Sequence, residues 1–326
     1  MSDTRPIAIS CGEPAGIGPE VAARAWDLTR LPVLWIGDPR HLPPRTPWAE
    51  AMPEEAAAIA PRALPVLVRD FGSPARPGRP DPAHAPGIVA AIAEGVDLIR
   101  DGRARALCTA PISKAALMEG AGFAFPGHTE YLSHLAGGTR AVMMIASAVL
   151  RVVPVTVHIP LAEVARHLTP ALLEETIRIV HAALRDDWAI AAPRLAVAGL
   201  NPHAGEDGRM GREEIDTIAP VLERLRAGGM DLRGPLSADT LFHPEARAGY
   251  DTAICMFHDQ ALIPAKTLDF AGGVNVTLGL PFVRTSPDHG TAFGLAGRGV
   301  ADPSSTVAAL RLADELSRRR GVPWRG

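Results

Sequence analysis

Cysteine is scarce in this chain: three residues in 326, Cys11, Cys108 and Cys255, with no CxxC pair. An odd, scattered set among apolar neighbours excludes a disulfide framework and a thiolate metal site, and predicts reduced core thiols. A basic excess is also missing. The formal net charge is −3 and no Lys/Arg run stands out, which removes the electrostatic footprint of a nucleic-acid binder. An anionic substrate would have to be held by a few local cations. No apolar stretch reaches membrane-spanning length, and the opening MSDTRPIAISCGEP carries no signal-peptide core. The expectation is a cytoplasmic protein with no membrane and no nucleic-acid partner. The dinucleotide fingerprint is absent too, because the glycines of GEPAGIGPE, at 12, 16 and 18, depart from G-x-G-x-x-G. There is no internal repeat and no low-complexity tail.

What is present is the composition of an ordinary globular protein, 47% hydrophobic and 21% charged. The length predicts one large or two medium domains. Short apolar runs at Pro6 to Cys11, Leu31 to Gly37, Arg105 to Thr109, Ala141 to Ala146, Val152 to His158 and Arg194 to Leu200 read as strands. Helical spacing appears between them, at Ile88, Ile92, Val96 and Ile99, and at Leu173, Ile177, Val180 and Leu184 behind a Thr169 cap. Ile215, Ile218, Leu222 and Leu225 form a third such face. Strands alternating with helices predict an α/β protein with a largely parallel sheet. Residues 39 to 86 are dense in proline and read as surface loops around a short helix and a strand, with His41 and His84 solvated.

The stretch from Tyr250 to Ser305 concentrates the chemistry. An apolar run, Thr252 to Phe257, delivers His258, Asp259 and Gln260 where a buried strand should end. Lys266, Asn275, Arg284, Asp288 and His289 follow beside Gly-rich turns. Ligands of open α/β sheets sit outside the carboxyl ends of strands, so this placement predicts a site. Two other histidines share that context: His158 ends VVPVTVH and His203 follows LAVAGLNP. Three neutral imidazoles at parallel strand ends suit Zn²⁺, Co²⁺ or Ni²⁺ with open positions for substrate. A hydrolase would add a carboxylate base from Asp259, Asp239 or Glu206. A dehydrogenase would use the same Lewis acid on an alcohol losing hydride, with Lys266, Asn275 and Arg284 holding an anion. Spacing alone leaves both open.

GEPAGIGPE, GHTEYL, GLNPHAGEDGRMGREEIDTI, GPLSADTLF, FHDQ, GVNVTLGLPFVRTSPDHGTA and LAGRGVADPSS together resemble the 4-hydroxythreonine-4-phosphate dehydrogenase family of pyridoxal phosphate biosynthesis. The match is ordered and spans nearly the whole chain. GIGPEV and DHGTAFGLAGRGVADP also look like the wider isocitrate and isopropylmalate dehydrogenase class. The resemblance implies that class's two-domain α/β fold, with mostly parallel sheets. One domain would comprise residues 1–127 and 285–326 with the cofactor loops. The other, 128–284, would carry the dimer contact and a metal site at the cleft. It also implies NAD or NADP at Gly290, Thr291, Ala292 and Asp302, and one divalent ion, Zn²⁺, Co²⁺ or Mg²⁺, on His158, His203 and His258. Substrate contacts fall on His128, Thr129, Lys266, Asn275 and Arg284, and Lys266, Asp259 and Asp239 become candidates for proton movement. The implied assembly is a homodimer whose metal ligands come from both chains. The implied reaction is oxidation of 4-phosphohydroxy-L-threonine at C3, then loss of CO₂ to 3-amino-2-oxopropyl phosphate. Similar enzymes act on phosphorylated four-carbon sugar acids or dihydrodiol carboxylates. Two departures border the site: Cys11-Gly12-Glu13 replaces the commoner Met-Gly-Asp, and KTLDFAGGVN lacks the expected aromatic and basic pair.

Overall fold

The computed structural model describes residues 3–320 and Trp324. In chain order, β1 (Ile7–Ser10), α1 (Gly18–Thr29), β2 (Val33–Gly37), β3 (Trp48–Glu50), α2 (Ala56–Ile59), β4 (Leu64–Val68), α3 (Ala85–Arg100), β5 (Ala106–Thr109), α4 (Lys114–Ala121) and α5 (His128–Leu135) come first. Then follow β6 (Val142–Ala146), β7 (Arg151–Thr156), α6 (Val164–His167), α7 (Pro170–Asp186), β8 (Arg194–Ala198), α8 (Ala219–Ala227), β9 (Asp231–Leu236), α9 (Pro244–Arg247), β10 (Thr252–Phe257) and α10 (His258–Leu268). β11 (Val274–Leu278), β12 (Val283–Pro287) and α11 (Ser304–Arg320) complete the order. The chain divides into two compact units, Met1–Ala141 with Val274–Gly326, and Val142–Gly273.

In the first unit the strands run in the order β3-β4-β2-β1-β5-β12-β11. All neighbours are parallel except β11 and β12. β1, β2 and β5 are buried along their whole length, as a parallel sheet covered on both faces requires. In the second unit the order is β6-β7-β10-β8-β9, parallel except for β6 against β7. There α7 supplies the expected apolar stripe. Leu173, Ile177, Val180 and Leu184 are all fully buried, each worth roughly 1.5–3 kcal/mol, and the Thr169 hydroxyl caps the helix by accepting from Leu172 N. The α/β architecture with mostly parallel strands is therefore as expected.

Several expectations change. α5 and β11 lie in the first unit, not the second: Leu132 is buried there, Tyr131 Oη donates to Val89 O of α3 at 3.5 Å, and β11 pairs with β12. This moves His128, Thr129, Asn275 and Arg284 into the first unit. His41 and His84 are not solvated. They are only 8% and 1% exposed, with ring centroids 5.0 Å apart, and Phe71 stands edge-on to His41. Each presents Nε2 to the Ser73 carbonyl at 3.0 Å. The proline-rich segment is tied down rather than loose, because the buried Asp38 carboxylate accepts from Arg40 and from Phe71 N. Ile215 is exposed, since it sits in a π-helical turn, Glu214–Ile218, whose wider pitch rotates it off the buried face. β3, β9, β11, β12 and α10 had no strong periodic signal.

Candidate active site

β7, β10 and β8 are parallel neighbours, so their carboxyl ends share one edge of the second unit's sheet. His258 begins α10 directly after β10, and His158 lies just past β7 in a left-handed conformation, φ 53°. Their ring centroids are 5.7 Å apart, and both line a cavity of about 250 Å³ together with Ile159, Leu161, Val164 and Phe257. Two imidazoles on one tetrahedral ion, with metal–nitrogen bonds near 2 Å, hold their centroids about 5–6 Å apart. The spacing therefore fits a shared ion. Asp259 Oδ1 lies 2.7 Å from His258 Nδ1. An acceptor there holds the proton on Nδ1 and leaves the Nε2 lone pair free to coordinate.

His203 does not join that pair. β8 ends at Ala198, and the chain passes through Gly199, Leu200, Asn201 and Pro202 before reaching it. Among the described residues, no three His, Cys, Asp or Glu side chains are grouped to hold a metal ion. His203 instead opens a left-handed turn in which His203, Ala204, Gly205, Glu206 and Asp207 all have positive φ. Glu214, 3% exposed, anchors this turn, its carboxylate accepting from Asn201 N at 2.7 Å and Asn201 Nδ2 at 3.0 Å. Asp239 accepts from Ser237 Oγ at 2.5 Å, and that bond, with His203 adding a smaller electrostatic pull, holds its pKa below the usual carboxylate value. Gln260 links two strand ends, donating from Nε2 to Gly199 O and accepting from Met256 N. Lys266 lies in the last turn of α10, with Nζ 5.7 Å from the Phe270 ring centre.

In the first unit two of the expected substrate residues, Asn275 and Arg284, lie in a polar cluster. Register pairs Thr277 with Arg284 and Asn275 with Ser286 across β11 and β12, which puts all four on one sheet face. Arg284 is 3% exposed and donates from Nη1 to Thr277 Oγ1 at 2.8 Å and from Nη2 to Thr109 Oγ1 at 2.6 Å. Among the described residues no carboxylate pairs with it. Its Nε is buried without a partner, as are Asn275 Oδ1 and His128 Nε2. Burial lowers the Arg284 pKa to about 10 and, with the Arg284 charge adding to it, lowers that of His128 to about 3. Both shifts act in one direction and leave a neutral imidazole and a cation, each with a buried nitrogen that has no partner. Thr129 follows His128 in the first turn of α5 and is half-buried.

The loops expected to hold the cofactor pack against GEPAGIGPE. Ile17 N donates to Thr291 O at 3.0 Å, and Ala292 joins Ile17, Val21, Ala296 and Ala301 in a small apolar cluster. A Cβ on Gly16 would stand 2.7 Å from Thr291 O, so only glycine lets these backbones meet. At Gly290, Gly294 and Gly299 the space a Cβ would take is open, a bare backbone that a flat ligand can approach. Asp302 accepts from Ser304 N and Oγ at the start of α11. Glu13, 1% exposed, has its pKa raised by burial.

Sequence reasoning missed Thr109, Thr277, Asn201 and Glu214. Their roles depend on burial and on contacts between distant segments, and the one available signal was the acidic pair Glu213-Glu214 after a Gly-rich loop.

The sequence profile of a family described as "Pyridoxal phosphate biosynthetic protein PdxA" matches residues 30–313. The chain belongs to that family. A 4-hydroxythreonine-4-phosphate dehydrogenase of Paracoccus denitrificans is 60% identical over 98% of this chain and 100% of its own length. Among solved PdxA-type structures, that of the 4-hydroxythreonine-4-phosphate dehydrogenase from Klebsiella pneumoniae is 36% identical, with TM-score 0.88, covering 97% of this chain and 99% of that one. A terephthalate 1,2-cis-dihydrodiol dehydrogenase from Burkholderia xenovorans is 27% identical, with TM-score 0.67, covering 95% and 98%.

Proposed function

We propose that this PdxA-family chain is an NAD(P)- and metal-dependent dehydrogenase that oxidises the C3 hydroxyl of 4-phosphohydroxy-L-threonine. The β-keto acid formed then loses CO₂ to give 3-amino-2-oxopropyl phosphate, in pyridoxal phosphate biosynthesis. The observation that carries the reading is Arg284, a buried guanidinium whose partners among the described residues are two hydroxyls, on a chain that matches dehydrogenases over their full length. Such a cation is completed by an anion, and a planar fork suits phosphate or carboxylate.

The residues divide the work. His128, neutral to about pH 3, offers a hydrogen bond without adding charge beside Arg284. Asn275 presents a buried amide oxygen for an amine or hydroxyl. Thr129 adds a hydroxyl at the helix start. Lys266 and Asp239 are the groups proposed to accept the hydroxyl proton and to return one to carbon after CO₂ leaves. Asp259 orients His258. His158, His203 and His258 would hold a divalent ion, which supplies Lewis acidity for the hydroxyl and for the charge left by decarboxylation. Gly290, Thr291, Ala292 and Asp302 would flank the nicotinamide dinucleotide, which accepts the hydride. His203 standing apart from the other two ligands in its own chain supports a homodimer that completes the ion's shell with a second copy. Buried free thiols suit a reducing, cytoplasmic setting.

The test is spectrophotometric. Phosphohydroxythreonine, NAD⁺ or NADP⁺ and Zn²⁺, Co²⁺ or Mg²⁺ should give reduced nicotinamide, and His158→Ala, His203→Ala and His258→Ala should each abolish nearly all of it. His134→Ala, outside the site, is the control. Phosphate release without cofactor reduction would make the chain a hydrolase. Turnover confined to a dihydrodiol carboxylate would move it to the terephthalate branch.

A further inference from the structure

The geometry points to Glu214 as the residue that positions His203. This rests on His203 being a metal ligand, as proposed above. The turn that carries His203 is left-handed through Asp207, and only Gly205 among its five residues adopts that conformation without strain. Such a turn persists only where its surroundings over-determine it. Glu214 is where those constraints meet. One carboxylate oxygen takes the Asn201 backbone N–H and the other takes the Asn201 amide, fixing the chain two residues before His203. The same two oxygens lie beside Gly199 and Gly205, where a Cβ would come within 3.0 and 2.7 Å of them, so the turn is wound directly on this side chain. Glu213 secures the arrangement from outside, accepting from Asn201 Nδ2 at 2.7 Å. Among the described residues, Glu214 makes its hydrogen bonds to Asn201 and none to His203. It is a positioning residue, and it begins the π-helical turn, a feature that often marks functional sites.

The experiment uses full-length protein loaded with Co²⁺. Affinity is measured by chelator competition, and the visible cobalt spectrum, amide hydrogen exchange and thermal unfolding are recorded alongside. Glu214→Ala should weaken Co²⁺ binding by about 10-fold, the lower end of the loss seen when a group bonded directly to a metal ligand is removed. It should also reduce the visible absorptivity as water replaces an imidazole, and speed exchange at Asn201, Ala204 and Met210. Glu214→Gln keeps one acceptor for Asn201 N and should fall between the alanine variant and wild type. If Glu214→Ala does not fold, Glu214→Gln and Asn201→Ala carry the same comparison. Wild-type cobalt affinity and spectrum in a folded Glu214→Ala, or in both substitutes, overturns the inference. If His203→Ala leaves the wild-type cobalt spectrum unchanged, His203 is not a ligand, and the metal reading falls together with the role given to Glu214.

Discussion

Taking a guanidinium out of water costs several kcal/mol unless a partner shares its site. Arg284 bears that cost with two threonine hydroxyls and stays protonated at neutral pH, since its pKa falls only to about 10. Replacing it should therefore separate function from stability. Arg284→Gln is expected to raise KM for the phosphorylated substrate and lower kcat/KM by about 10²-fold or more, the loss of roughly two charge-assisted hydrogen bonds. Its thermal midpoint should be unchanged or higher. Arg284→Lys should not restore activity, because an ammonium cannot reproduce the planar fork. Unchanged KM in Arg284→Gln, measured by steady-state kinetics, would remove the anion role. At this scale the sequence was informative about chemistry and silent about company. His158, His258, Arg284 and Asn275 stand out by type and position beside apolar runs. The hydroxyls that hold Arg284 come from β5 and β11, and nothing local links Thr109 to a residue so distant in the chain.

At the level of elements, the strongly amphipathic α7 and the continuous apolar strands were legible because periodicity reports burial directly. The left-handed turn was not. Its sequence, PHAGEDG, reads as an ordinary polar loop, and the strain in it is offset by Glu214 with support from Glu213 through Asn201. His203, Ala204, Glu206 and Asp207 each cost about 1–2 kcal/mol in that conformation, or roughly 4–8 together. Two hydrogen bonds to a buried carboxylate return roughly 3–6 kcal/mol. The proline-rich segment misled in the opposite sense, since proline density hid a packed histidine pair. His41 is pushed below its ordinary pKa, chiefly by burial and further by His84 and Arg40, against an opposing pull from Asp38 and the Ser73 carbonyl. In the fold it takes up a proton only at lower pH than in the unfolded chain, where protonation falls near pH 6.5. Its contribution is thus complete above about pH 6.5 and is lost as pH falls below that value. Urea unfolding at pH 7.5, 6 and 5 should show falling stability, and His41→Phe should flatten the slope by up to about 1.4 kcal/mol per pH unit. Parallel slopes for the two proteins would show that His41 does not titrate on unfolding.

For the whole molecule, the proposed dimer makes activity a property of concentration. Dilution through the dissociation constant should lower specific activity and release Co²⁺ together, and sedimentation should place both losses where monomer accumulates. A fully active monomer would end the shared-site reading. Leu161, Ile263 and Phe270, more than 60% exposed in the second unit, are the apolar side chains a partner would cover. The order of the chain carries a different consequence, for biosynthesis. The second unit is one unbroken stretch, Val142–Gly273, while the first is split around it. β12 lies inside the first unit's sheet, between β5 and β11, so β5 keeps an unpaired edge until Pro287 has been made. On the ribosome, the segment translated first must wait for the segment translated last, and the unit that begins at Val142 is the first that can close.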